Sequence, residues 1–469
     1  MPFFHNLSFF IFFTLIISPS FSQEVNDSTT YMVVDNILIE GNKKTKNSII
    51  LRELNFKEGD TIFIQEKEEV FKWSKNRIFN TNLFVTVNLH TIDRDSIHKD
   101  IFIVVKERWY IYPLPIFELA DRNFNEWWQD RNRDPERINV GLHYVQKNVR
   151  GRNETLRLKF QLGFTKKFEL FYFIPYLNKK QKSGLNYEIS FIRNKQIPFI
   201  TSENKLLYFD GNKIIKERFR TAFTYTYRKK FYQTHSIGSG FFYNWIADTI
   251  RNLNPHYLLN DRTSQRYFTL KYTFLNDVRD VAYYPLKGTY VKAEVEKLGL
   301  GIFNDLNQIN LTGEFSWFKP LSKKLFLATG IRQKISFPRR QPYLQTRALG
   351  YEKDYVSGYE LYVIDGEHFS LAKANLKWKI FSTQKDLQSV PVDEFSTIPF
   401  ALYLKIYSDM GYVWNQYTLP DNERLTNTFL LGGGLGLDIV SYYDFVMRLE
   451  YSINRTGEHG FFLHFRSEI

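Results

Sequence analysis

The chain of 469 residues contains no cysteine. That absence excludes a disulfide framework, a cysteine-ligated zinc site and a lipid-modified N-terminal cysteine. Histidine is scarce and scattered. His143, His235, His256, His368, His459 and His464 form neither an H-E-x-x-H nor an i,i+4 pair. No G-x-S-x-G elbow, Walker loop or dinucleotide fingerprint occurs. Glu367-His368 is expected to be a solvated pair rather than a metal or acid/base site. The clustered Asp277, Arg279 and Asp280 are expected to form a structural ion cluster rather than a catalytic one. The chain therefore reads as a non-enzyme without cofactor or metal. Beyond residue 22 no apolar run approaches the roughly 20 residues of a spanning helix.

The first 22 residues also lack Lys and Arg, leaving only the free amine and His5 as cations. Phe9 to Ile17 is nonetheless a short apolar core, and Ser20-Phe21-Ser22 is a small-x-small cleavage site. Residues 1–22 read as a secretory signal peptide cut near Ser22.

What the chain has in abundance is aromatic side chains, 17% of it, with 44 Phe and 30 Tyr. Mean hydropathy is negative all the same. The net charge of +13 is unevenly placed. Gln23 to Arg108 carries 13 basic against 14 acidic residues, so 109–469 holds all of the excess. No basic helix or RNA-binding motif accompanies it, so nucleic acid is not an expected partner. A cationic lumen and loops facing anionic lipid headgroups account for the charge more simply.

Two-residue alternation dominates from Trp109 onward. A strand sends successive side chains to opposite faces, so alternation marks a wall with one apolar and one polar face. Between Gly350 and Ile380 the pattern is clearest. Ala372, Ala374, Leu376, Trp378 and Ile380 alternate with Lys373, Asn375, Lys377 and Lys379, after a long loop rich in Gly, Tyr and charge. Comparable runs begin at Tyr110–Phe117. They continue at 138–144, 156–164, 168–177, 185–193, 217–227, 236–245, 267–274, 288–297, 307–318, 324–334, 370–381, 400–410, 429–439, 444–453 and 459–466. That makes about 16 strands with about 22 residues each for strand and connection, enough for the ~9–11 a membrane-spanning strand needs. The expected fold of 109–469 is a transmembrane β-barrel of about 16 antiparallel strands.

Before it, residues 31–108 read as a compact α+β unit in the order β-α-α-β-β. Val33–Glu40 is a strand, Thr45–Leu54 and Ile64–Phe79 are helices, and Leu83–His90 and Ile101–Glu107 are two further strands. This unit resembles a POTRA domain through Val34, Ile37, Ile39 and Gly41, the Leu83-Phe84-x-x-Val87 core, and the closing Val105-Lys106-Glu107-Arg108. Only one copy is present.

Four stretches of the barrel half resemble the outer-membrane insertase and translocase superfamily, the BamA- and TamA-like proteins also called the bacterial surface antigen family. Asp277-Val278-Arg279-Asp280 followed by Pro285-x-x-Gly288 is similar to its D-x-R-D…P-x-x-G turn. Val356-Ser357-Gly358-Tyr359 stands where the family carries V-R-G-F/Y, on a sixth extracellular loop that folds into the lumen. Ser408 to Val413 resembles the D-x-G-x-V strand, and Gly432 to Asp438 the glycine-rich strand after it. Gly460, Leu463 and Phe465 resemble the C-terminal β-signal, with Arg466–Ile469 trailing where the family usually ends.

The resemblance implies a cofactor-free protein of the outer membrane of a Gram-negative-type bacterium, with its POTRA domain in the periplasm. Its partners would be outer-membrane lipid, unfolded outer-membrane protein clients, and periplasmic chaperones or accessory lipoproteins at the POTRA domain. Its role would be insertion or translocation of polypeptides, the alternatives being a two-partner-secretion translocator for one substrate or a passive porin-like barrel. In the family the loop Arg grips an acidic pair on the lumen wall. Here Ser357 replaces that Arg and Lys377 replaces one of the acids, leaving Asp409. Lys377 is therefore expected to pair with Asp409, and Gly358, Tyr359 and Glu360 to hold the loop.

Overall fold

In the computed structural model, residues 31–119, 133, 135–178, 180–351, 353–386, 396–441 and 443–465 are described. The expected signal segment 1–22 and the trailing Arg466–Ile469 lie outside them.

The N-terminal module comprises β1 (Tyr31–Glu40), α1 (Asn47–Leu51), β2 (Thr61–Phe63), α2 (Lys67–Phe79), β3 (Phe84–Asp93) and β4 (His98–Glu107). Its sheet has the order β2-β1-β4-β3, with β1 parallel to β4. The helices present Ile49, Ile50 and Ile78 to a core with Met32, Ile101 and Ile103, all essentially inaccessible. Strand β2 is an addition to the expected order. Three residues are too few to show an alternation, and only their antiparallel pairing with Tyr31, Met32 and Val33 defines them. Both helices are also shorter at their N-termini than the sequence suggested.

Beyond the module, the described residues are built round one sixteen-stranded antiparallel sheet. Its first five strands are β5 (Ile111–Leu119), β6 (Ile138–Val149), β7 (Glu154–Gly163), β8 (Thr165–Ile174) and β9 (Ser183–Asn194). A hairpin of β10 (Gln196–Ser202) and β11 (Lys205–Asp210) then stands outside the sheet. Strands β12 (Lys216–Arg228) and β13 (Gln233–Ile246) follow, then helix α3 (Asp248–Leu253), which no helical period in the sequence announced. Next come β14 (Ser264–Asp277), β15 (Gly288–Leu298), β16 (Gln308–Pro320) and β17 (Leu325–Phe337). The loop from 338 to 367 carries two short strands, β18 (Arg347–Leu349) and β19 (Ile364–Asp365). The wall ends with β20 (His368–Asp386), β21 (Thr397–Trp414), β22 (Phe429–Val440), β23 (Val446–Asn454) and β24 (His459–His464).

Alternation decides the faces as expected. Leu376, Trp378, Ile406 and Met410 point outward and are exposed, while Lys373, Asn375, Lys377, Lys405 and Asp409 point inward and are buried. A bulge at Ile380 breaks the period, so Ile380 and Phe381 are both exposed. No helix among the described residues is long and apolar enough to cross a membrane. The sheet curls round on itself, because Trp109 just before β5 donates its N–H to the Tyr443 hydroxyl in the β22–β23 turn, at 2.9 Å.

The module lies across the mouth of this barrel. Glu53 accepts two bonds from Arg228 at 2.7 and 2.9 Å on the β12–β13 turn. Arg108 forks onto Asp444 at 2.9 and 3.0 Å on the β22–β23 turn. Lys46 N–H donates to the Gly151 carbonyl between β6 and β7. Burial works against the Glu53 charge, but Arg228, helped by Arg52 and Arg77, outweighs it and holds that carboxyl below its usual range.

Candidate functional site: the lumenal clasp

The register of β20 against β21 sets the site. It pairs Lys373 with Asp409 and Lys377 with Lys405. Lys373 Nζ reaches Asp409 Oδ2 at 3.1 Å, both groups being almost fully buried. The tip of the long loop completes the arrangement. Ser357 donates to the same oxygen twice, from its hydroxyl at 2.6 Å and its N–H at 3.1 Å. A buried carboxylate is costly unless charge and hydrogen bonds meet it, and here both do.

This corrects two expectations. Lys377 stands four residues along the wall from Lys373, where its ammonium lies 4.2 Å from the Tyr284 ring centre. Ser357, though uncharged, is the loop residue that grips Asp409, and the cation has moved from the loop to the wall. Parity narrowed the partner to inward-facing lysines of β20. Only the register, fixed by pairing with β17 and β21, chooses Lys373.

The loop tip sits this close because the wall is bare where it lands. A Cβ at Gly432 would come 1.7 Å from the Ser357 carbonyl oxygen. Gly358 takes φ +83°, and its carbonyl accepts from Asn454 Nδ2 at 2.8 Å. Val356 and Tyr359 bury themselves with Leu349, Phe369, Val413 and Leu430. The glycine-rich strand is thus the landing strip of the loop.

The D-x-R-D…P-x-x-G stretch forms the β14–β15 turn on the module side. Arg279 forks onto Asp277 at 2.6 and 2.7 Å. Asp280 does not join that cluster. Its Oδ1 instead accepts the N–H groups of Val281, Leu286 and Lys287, which folds Pro285 to Gly288 back toward β15. The turn then crosses the lumen. The Tyr284 hydroxyl donates to Asp438 of β22 at 2.9 Å, and its ring lies 4.9 Å from that of Tyr403. Asn80 at the end of α2 clasps the same turn, donating to the Asp280 carbonyl and accepting from the Ala282 N–H.

Residues 148–371 match the model of the Omp85 superfamily domain, and residues 32–108 match the POTRA model described as a surface antigen variable number repeat. This chain carries an Omp85 superfamily domain behind a POTRA domain. Among solved structures it is similar to BamA from Haemophilus ducreyi lacking POTRA domains 1–3. That match has 14% identity and a TM-score of 0.50, and covers 93% of this chain and 84% of that one. CdiB from Escherichia coli is similar at 11% identity and a TM-score of 0.53, with 92% and 75% covered. Such low identities speak for the fold alone. No curated protein sequence matches. At the level of the family, the protein is an outer-membrane insertase or translocase acting on polypeptides.

Beside the clasp, the Omp85 wall carries a second ionic cluster that the sequence did not single out. Lys405 is fully buried against Glu450 and Asp438, the latter at 3.3 Å. Arg448 bonds Glu450 at 3.1 Å and the loop hydroxyl of Tyr355 at 2.7 Å. Tyr355 stacks on His464 of the last strand, with ring centres 5.2 Å apart. These residues come from four strands and the loop, so no local spacing reveals them.

Gly460 faces inward on β24, while Leu463 and Phe465 face outward and are exposed. Glu367 is buried rather than solvated and accepts the Gln416 N–H. His368 Nδ1 accepts from the Ser336 N–H, a structural role. No metal-binding cluster occurs among the described residues.

Glu360, next on the loop tip, is poised by pH. Burial pushes its carboxyl up to about 7, against the nearby backbone N–H groups of Glu360 and Gly358, with Glu450 adding to the shift and Lys373 opposing it. Neither oxygen has a well-formed hydrogen bond among the described residues. An acid with a raised folded-state pKa stabilises the fold while protonated. That contribution is complete below the ordinary glutamate value of 4.5 and is lost as pH climbs through 7. The loop should therefore resist protease better near pH ~5.5 than near ~8.5, and Glu360→Gln should keep the resistance at the higher pH. A wild-type loop equally resistant at both would mean that the carboxyl is solvated.

Proposed function

We propose that this protein inserts other β-barrels into the outer membrane, working in the BamA and TamA manner without a cofactor or a catalytic residue. One observation carries the reading. The first and last wall strands, β5 and β24, have no pairing with each other among the described residues, while the lumen holds the loop tip and the Tyr284 turn. Insertion needs an accessible strand edge, whereas export through the pore needs an open lumen.

In this reading the POTRA module sits in the periplasm, where its outer strand β3 is a ten-residue edge able to accept a client strand by β-augmentation. Chaperones or accessory lipoproteins would dock on the same module.

Depleting the protein and quantifying the outer-membrane proteome tests the proposal. Loss of several barrels, or of one or a few, would mark a general or a dedicated insertase respectively. Loss of a single secreted polypeptide with all barrels intact would favour the two-partner-secretion translocator. An unchanged proteome together with simple ion conductance would favour a passive pore.

A further inference from the structure

The two edges that meet at the seam are chemically unequal. In β5 the Tyr110 carbonyl accepts from the Lys147 N–H at 2.7 Å. Even-numbered residues there consequently turn their backbone groups toward β6, and odd-numbered residues turn theirs to the open edge. Two of those odd positions, at the centre of the strand, are Pro113 and Pro115. Proline has no N–H, so the open edge of β5 lacks both central donors. Its Ile111 carbonyl is already covered by the Trp109 indole N–H. The edge is blunted in the way that proteins use to prevent strand addition.

The edge of β24 is the opposite case. The Asn454 N–H donates to the Glu458 carbonyl at 2.9 Å, so Gly460, Phe462 and His464 turn their backbone groups toward β23. His459, Phe461 and Leu463 offer three N–H and three C=O groups outward, uninterrupted by proline. Side-chain exposure agrees that this seam is uncovered among the described residues. Phe117 is 73% and Phe461 85% exposed, against 52% for Phe160 and 47% for Phe315 inside the wall. In hydrocarbon, backbone groups without partners are strongly disfavoured. If β5 closed on β24, the β24 carbonyls opposite the prolines would stay unsatisfied. A client strand with ordinary residues would satisfy them.

We propose that β24 is the template on which an incoming antiparallel β-strand is built, and that Pro113 and Pro115 prevent β5 from sealing the seam or competing for that strand. This rests on the insertase reading, and the tests separate the two. The chain has no cysteine, so introduced ones report cleanly. The full-length protein in lipid vesicles would receive a urea-unfolded eight-stranded outer-membrane barrel with one cysteine in its first or last strand. Mixed disulfides to Phe461→Cys or Leu463→Cys should exceed those to Phe117→Cys about fivefold or more. Equal or reversed yields would overturn the proposal.

Without client, a short bismaleimide linking Phe117→Cys to Phe461→Cys should react about threefold more in a Pro113→Val/Pro115→Val background, because two donors have been restored. An unchanged yield would also overturn it. Heat-modifiable migration checks folding, and single Pro113→Val or Pro115→Val variants serve if the double fails. Client folding no faster than in empty vesicles would overturn the insertase reading, while the bismaleimide yield still decides the seam.

Discussion

Gly432→Val should expel the sixth loop from the lumen while leaving the barrel wall intact. The added Cβ would lie 1.7 Å from the Ser357 carbonyl oxygen and 2.9 Å from its carbon. Both are backbone atoms, so no side-chain rotation relieves the clash, and the loop tip must move. Valine itself suits the extended backbone of β22. Once the tip moves, Asp409 loses the two Ser357 bonds, each worth about 1.5–3 kcal/mol when the acceptor is a carboxylate. Lys373 remains on the wall to neutralise Asp409, so the strands should stay paired. Trypsin cleavage at Arg347 and Lys353 should rise more than ~10-fold, with heat-modifiable migration unchanged. Gly313→Val is the control. Nothing lies within 4 Å of a Cβ there, so that variant should behave as wild type. A protected loop in Gly432→Val would mean that the tip does not rest on the glycine strand in the membrane.

Lys405→Met should destabilise the barrel more than any surface charge change. The ammonium is fully buried between Glu450 and Asp438, and its removal leaves two inward carboxylates in need of partners. Arg448 and His464 still reach Glu450, and Tyr284 still reaches Asp438, so part of the charge is met. Breaking a buried ionic group by removing one partner typically costs about 3–5 kcal/mol. The denaturant midpoint of the protein in detergent should fall accordingly. Adding Asp438→Asn to Lys405→Met should recover much of the loss, because Arg448 still neutralises Glu450 and the introduced amide oxygen can still accept from Tyr284. An unshifted midpoint in the single variant would show that water fills this part of the lumen and screens the cluster. The cluster also ties β24 to the wall through His464. A weakened Lys405 variant should therefore loosen the very strand that we assign as template.

The two strongest expected effects lie at residues of unequal legibility. Gly432 stands in a run, Gly432-Gly433-Gly434, that a strand does not need for its own sake, so its presence in the sequence already asks what approaches it. Lys405 stands in an ordinary alternation between Leu404 and Ile406, and nothing around it announces a buried ionic cluster. Its partners are 33 and 45 residues away on other strands. The same contrast separates the two halves of the clasp. Val356 to Tyr359 could be picked out by likeness to a family motif, while Lys373 was one of three lysines on the same face.

Likeness to family motifs pointed to the loop that enters the lumen; by itself the sequence determined the sixteen strands, the face to which their alternating side chains turn and the N-terminal module. These depend on local geometry: the two-residue period of a strand, the backbone freedom of glycine and the turn chemistry between elements. The tertiary structure alone decided which cation meets Asp409, that Asp280 caps a turn instead of joining Arg279, that Tyr284 crosses the lumen, and that the edges of β5 and β24 differ. Each of these is set by register between strands. A shift of two residues keeps every face unchanged yet moves each partner by about 6.6 Å, so only the folded wall can choose among partners that the pattern leaves equivalent.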